Sequence, residues 1–195
     1  MNNKVANILV SYLEPLAWTD KLAGLTQVAK VTEGGVEKRF PITCGLSYED
    51  ACRAGCYDDL MPSSQKKSIL YFEDGSFSFI RQEGGRLYYE SRLRLVCWLN
   101  YRLIEGGCGS SGDYVIAVIK ALPAVQRNVG DLLRFTTVVA SQVARGADIF
   151  GKYTFDEKRS QYLMLPYDFF AIDLRTNFFI TTECIEPDTG GCTEC

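Results

Sequence analysis

The chain is 195 residues long, 47% hydrophobic and 23% charged, with a formal net charge of −3. This is an ordinary globular composition, long enough to bury a core without staples and lacking the basic excess of general nucleic-acid binders. It contains no histidine, which excludes Ser-His-Asp and Cys-His catalysis, imidazole-ligated zinc and the usual general base near neutral pH.

Residues 3–14 place Val5, Ile8, Leu9, Tyr12 and Leu13 on one helical face, and Pro15 closes that helix. The apolar run is too short for a signal peptide, and no run in the chain is long enough to span a bilayer. A protein made and kept in the cytoplasm, with no membrane partner, is therefore expected. The segment "WTDKLAGL" predicts a second short helical piece. Next, "LTQVAKVTEGGVEKRFPIT" predicts a hairpin, because Gly34-Gly35 suits the positive φ angles of a tight turn.

Residues 44–66 have no sustained period and predict a long irregular excursion with a short helix near Tyr48–Ala54. The strongest strand signal follows in 68–104. Asp74-Gly75 and Gly84-Gly85 predict two turns and so a three-strand meander. Its last strand alternates strictly. Leu93, Leu95, Cys97, Leu99, Tyr101 and Leu103 share one face, and Arg92, Arg94, Val96, Trp98, Asn100 and Arg102 share the other.

The glycine-rich loop 106–113, "GGCGSSGD", invites a phosphate-loop or nucleophile reading. A phosphate loop needs a lysine and a hydroxyl residue after its last glycine, whereas Asp113 and Tyr114 follow Gly112 here. Cys108 has no histidine to activate it. The loop then reads as a turn in which Ser110 or Ser111 caps a short, largely buried helix ending before Pro123. A turn at Val129-Gly130-Asp131 precedes a strand through "LLRFTTVVASQVA", and residues 144–161 read as a polar connection. The last long strand, 167–184, turns Phe170, Ile172, Leu174, Thr176, Phe178 and Ile180 to one face and Asp173, Arg175 and Asn177 to the other. The organisation expected is a single domain over 1–183 and a flexible cysteine-containing tail over 184–195. Strands in runs, rather than alternating with helices, predict an α+β fold, mainly antiparallel, with long amphipathic strands packed by a few short helices.

Eight cysteines, at 44, 52, 56, 97, 108, 184, 192 and 195, read as reduced thiols in a chain of this size. Cys52, Cys56, Cys192 and Cys195 together offer a four-thiolate zinc site, which would make the chain a zinc-stabilised binding or adaptor protein. A thiol hydrolase at Cys108 is a further alternative. The acid pairs Glu49-Asp50 and Asp58-Asp59 read as solvated charge rather than a metal or acid–base site. Arg92, Arg94, Trp98 and Arg102 are the candidate subunit interface, since arginine and tryptophan are enriched where proteins meet proteins.

The order of parts resembles a known family. A helix leads into a hairpin carrying "KRFPIT"; then come the strand "RLRLVCWLNYRLI", a short helix and the closing strand "YDFFAIDLRTNFFI". This layout resembles bacteriophage head–tail connector proteins, in particular tail terminators and neck-ring subunits. The resemblance implies a tail-terminator-like α+β fold and a virion structural protein without enzymatic activity or cofactor. It further implies a homo-oligomeric ring that contacts other portal, neck or tail proteins. The cysteine-bearing excursion and the cysteine tail depart from the family layout.

Overall fold

A computed structural model describes residues 1–44, 57–104, 109–122, 128–129, 133–155 and 160–181, apart from the side chains of 44, 57–58, 128–129, 133–137, 139 and 147. The architecture is α+β, built on two sheets. Helix α1 (Asn2–Leu13) buries Val5, Ala6, Leu9 and Leu13, a stripe at helical spacing. Pro15 has no N–H to bond back to Ser11, so the helix stops there. Its start is pinned by Asn2, whose Nδ2 donates to Asp74 Oδ1 at 2.5 Å while its Oδ1 accepts from Ser91 Oγ at 2.7 Å.

The expected helix in "WTDKLAGL" is instead strand β1 (Lys21–Leu25). Gly24 disfavours a helix, and the segment gains more by pairing. Asp20 N–H donates to Ser68 Oγ, and Lys67 N–H donates to Asp20 Oδ2. These bonds clamp β1 parallel to the start of β5 (Ser68–Glu83). The first hairpin forms as expected from β2 (Gln27–Glu33) and β3 (Val36–Cys44), with Gly34 and Gly35 at φ 60° and 80°. Tyr57–Asp59 adds β4 to complete a three-stranded sheet in the order β2-β3-β4. The excursion is therefore less irregular than expected, because Leu60 and Met61 behind β4 are buried. The short helix expected near Tyr48–Ala54 lies outside the described residues.

The main sheet has six strands in the order β1-β5-β6-β9-β8-β7. Its members beyond β5 are β6 (Arg86–Asn100), β7 (Asn128–Val129), β8 (Leu133–Arg145) and β9 (Tyr167–Thr181). Every neighbouring pair is antiparallel except β1–β5. The three-strand meander expected at 68–104 is a two-strand hairpin. Gly84 and Gly85 turn, at φ 55° and 71°, but Asp74-Gly75 does not. The chain passes through Gly75 as a bulge: the register shifts by one residue between Asp74 and Phe77. A Cβ at Gly75 would sit 2.5 Å from the Arg92 carbonyl oxygen, so glycine serves close approach here rather than a turn.

β6 ends at Asn100, earlier than the alternation implied. Asn100 Nδ2 donates to the Ser64 and Lys66 carbonyls, and Tyr101–Ile104 winds into a helical turn, α2. Arg102 and Leu103 thus leave the strand. Helix α3 (Ser111–Ala121) forms as expected. The Gly112 N–H donates to Ser110 Oγ at 3.4 Å, and Asp113 sits in the first turn. It is half-buried rather than largely buried, since Ile116 and Ile119 face outward on the side opposite Tyr114, Val115 and Val118.

Two cores lie on the two faces of the main sheet. The first gathers α1, α3 and the inward rows of β6 and β9, including Leu95, Cys97, Leu99, Phe170, Ile172, Leu174, Phe178 and Ile180. The second gathers Ile69, Tyr71, Val96, Trp98, Phe169 and Ala171 under Leu60, Ile149, Phe150 and Tyr153. Residues 144–161, expected to be a polar connection, therefore supply part of a core. A 3-10 turn at Ala147–Phe150 places their apolar side chains on the sheet.

Candidate assembly surface

Arg92, Arg94, Trp98 and Arg102 do not form one exposed face. Trp98 is 1% exposed. Its Nε1–H donates to the Tyr162 carbonyl at 2.8 Å, and its ring stacks on Tyr167 at 5.3 Å. A tryptophan satisfied in this way belongs to the second core and does not meet a neighbour. Arg102 is exposed, but on α2 and off the strand. Arg92 and Arg94 remain on the sheet, where the second core has ended.

Arg94 lies directly across from Asp173 on β9 and holds it with two bonds, at 2.6 and 3.1 Å. That carboxylate, donated to by the guanidinium, keeps Arg94 still more firmly protonated than usual. Arg92 lies across from Arg175, a like-charge pair that Glu90 relieves by bonding Arg92 at 2.7 Å and standing 3.9 Å from Arg175. Glu73 is buried, accepts from the Tyr153 hydroxyl at 2.7 Å and pairs with Lys152 at 2.8 Å. Glu73, Arg92, Arg94, Asp173 and Arg175 line an open depression of about 530 Å³. Opposite charges meet within the chain at each of these positions. The arrangement orders the sheet, and the one hydroxyl among the depression's lining residues, Ser141, donates to the Asp173 carbonyl at 3.0 Å.

The distal half of the β5–β6 hairpin is exposed along all of Asp74–Glu83. It forms one margin of the main sheet, with β6 paired to β9 along its whole length and aromatics packed on both faces. On one face Phe77 stacks on Tyr89 at 5.0 Å, and Tyr89 stacks on Phe178 at 5.8 Å. On the other, Tyr88 packs on Phe179, with Arg81 over Tyr88 and Arg86 over Phe179. Phe79 and Ile80 remain about half exposed, at 55% and 48%. The smaller sheet exposes Val28, Val31 and Val36 on its hairpin.

The sheet edges complete the surface. β1 covers β5 only from Ile69 to Phe72, and β7 covers β8 only at Leu133 and Arg134. Beyond those points neither edge has a strand partner among the described residues. The sequence missed this long exposed edge because Asp74-Gly75 was expected to turn. An unbroken strand-forming run from Ser68 to Glu83 was the available signal.

Of the cysteines, Cys97 is buried in the first core, and burial pushes its thiol well above the usual range, as for an inert hydrophobe. Cys44 ends β3. Cys52, Cys56, Cys108, Cys184, Cys192 and Cys195 lie outside the described residues, as do Glu49 and Asp50. Asp59 Oδ1 caps the turn after β4 by accepting from the Met61 N–H at 2.7 Å. Among the described residues no cluster of three or more potential metal ligands occurs, and no helix is long and apolar enough to cross a membrane. No family model and no curated protein matches this sequence.

Proposed function

We propose that this chain is a non-enzymatic virion structural protein, a ring-forming subunit at a phage head–tail junction, as a tail terminator or a neck ring. The observation that carries this reading is the surface of the main sheet. Along its margin β5 exposes aromatic and aliphatic side chains at Phe77, Phe79 and Ile80, and among the described residues both edge strands run on beyond the strands that cover them. The unpaired N–H and C=O groups of such an edge are a template for pairing with another chain. A ring subunit needs two different patches that match each other, because a closed ring repeats one heterologous contact. The sequence layout that resembles head–tail connectors supports the same assignment, with other portal, neck or tail proteins as neighbours.

Negative-stain imaging with analytical ultracentrifugation of the purified chain tests this. Closed rings of one fixed size are expected at micromolar concentration. A monomer at every concentration up to the millimolar range overturns the reading.

A further inference from the structure

We infer that neighbouring copies join by adding the distal edge of β5 to the edge of β8, so that the main sheet continues from subunit to subunit. This rests on the ring-forming reading above and names the surfaces that close the ring. Among the described residues, the uncovered edge of β5 runs from Asp74 to Glu83, and that of β8 from Phe135 to Arg145. The strand pairs β5–β6, β6–β9 and β9–β8 are all antiparallel, so β5 and β8 run in opposite directions within one subunit. When copies related by a ring axis are laid edge to edge, β8 of one therefore meets β5 of the next in antiparallel order. Added strands of this kind are held by main-chain hydrogen bonds.

Charge placement selects this pairing over the symmetric ones. The β5 edge begins at Asp74 and ends at Glu83, with acid at both ends. The β8 edge beyond β7 carries a single charged residue, Arg145. Antiparallel β5-to-β8 pairing with Asp74 opposite Arg145 joins an acid to a base and sets no like charges opposite each other. A two-fold β5-to-β5 contact would set Asp74 against Glu83, and a two-fold β8-to-β8 contact would leave Arg145 without an acid. Like charges directly opposite are destabilising. Asp74 and Arg145 are both exposed. Asp74 also accepts from Asn2, and Glu83 is bonded by Arg81 at 3.1 Å. Each edge is bent by two bulges, at Asp74/Phe77 and Phe79/Arg81 in β5 and at Phe135/Thr137 and Ala140/Gln142 in β8. Bulges increase local twist and bend a strand, which suits a sheet that must curve around an axis.

The test is charge reversal at the two edges, read by sedimentation velocity over a concentration series. Arg145→Glu alone and Asp74→Arg alone should each raise the concentration for half-assembly about tenfold. Mixing the two single variants, or combining both changes in one chain, should restore assembly. Arg145→Glu, at an exposed residue that belongs to neither core, carries the test if Asp74→Arg fails to fold. Assembly tightened by Arg145→Glu would show a two-fold β8 contact and overturn the inference. Rings that form equally well from every variant would overturn it while leaving the ring-forming reading intact. A wild-type chain that stays monomeric would overturn both.

Discussion

Removing the indole of Trp98 should destabilise the fold by about 3–5 kcal/mol, because Trp98→Ala leaves a cavity in the second core and orphans the Tyr162 carbonyl. Arg102→Ala, on the exposed turn after the same strand, should stay within about 0.5 kcal/mol. Asp173→Ala falls between them. The Arg94 and Asp173 side chains are 40% and 28% exposed, so solvent screens their pair and a loss of about 1 kcal/mol is expected. Urea unfolding of the three variants checks the ranking. Equal losses at Trp98 and Arg102 would contradict the burial of one and the exposure of the other. Trp98 and Arg102 read alike in the sequence for a reason. Alternation places side chains on faces, but it does not say what covers a face. The even row of β6 starts in solvent at Arg92 and ends under Phe150 and Tyr167, residues more than fifty positions away.

At the scale of elements, Gly75 and Gly35 should respond to alanine for different reasons. Gly35 sits at φ 80° with open space around it, so Gly35→Ala meets only backbone strain, about 1–2 kcal/mol. Gly75 has an ordinary φ, yet its Cβ would strike the Arg92 carbonyl at 2.5 Å, so Gly75→Ala must push β5 off β6 at a cost of about 1–3 kcal/mol. Hydrogen exchange distinguishes them: Gly75→Ala should loosen amides on both sides of the bulge, and Gly35→Ala only those of its own hairpin. If Gly75→Ala leaves exchange in β6 unchanged, the close approach is not there. The same glycines show which elements were legible. Tight turns at Gly34-Gly35 and Gly84-Gly85, the α1 stripe and the inward row of β9 follow local rules, and they appear where the pattern puts them. β1, the Gly75 bulge and the core role of Ile149 and Phe150 depend on partners distant in sequence, so a local pattern cannot carry them. Of the residues named as a candidate interface, Trp98 is buried and Arg102 leaves the strand, while Arg92 and Arg94 stay on the sheet, a division that depends on what packs over β6 and not on its alternation.

For the molecule as a whole, the two cores meet solvent-averse phenols at three places, and these set its alkaline limit. Burial pushes the Tyr71 hydroxyl well above the ordinary tyrosine range, and the nearby Glu73 charge adds to this. Tyr153 is raised first by burial and then by Tyr71 and Glu73, and Tyr101 first by burial and then by its 2.8 Å bond to Asp168. Each is an acid whose folded-state value lies above its unfolded one, ordinarily about 10. The unfolded chain therefore loses these protons first as pH rises. The stability they contribute is complete below pH about 10 and falls progressively above it. Tyr71 and Tyr153 sit in the second core and Tyr101 in the first, so neither layer is spared. An alkaline titration followed by phenolate absorbance and far-ultraviolet dichroism checks this. The buried tyrosines should ionise only as the dichroism collapses, in one cooperative step. Tyr153→Phe removes one of these protons together with the Glu73 bond, so it should lower stability at neutral pH and flatten its decline above pH 10. Smooth ionisation of all eleven tyrosines with the fold intact would contradict the burial on which both cores depend.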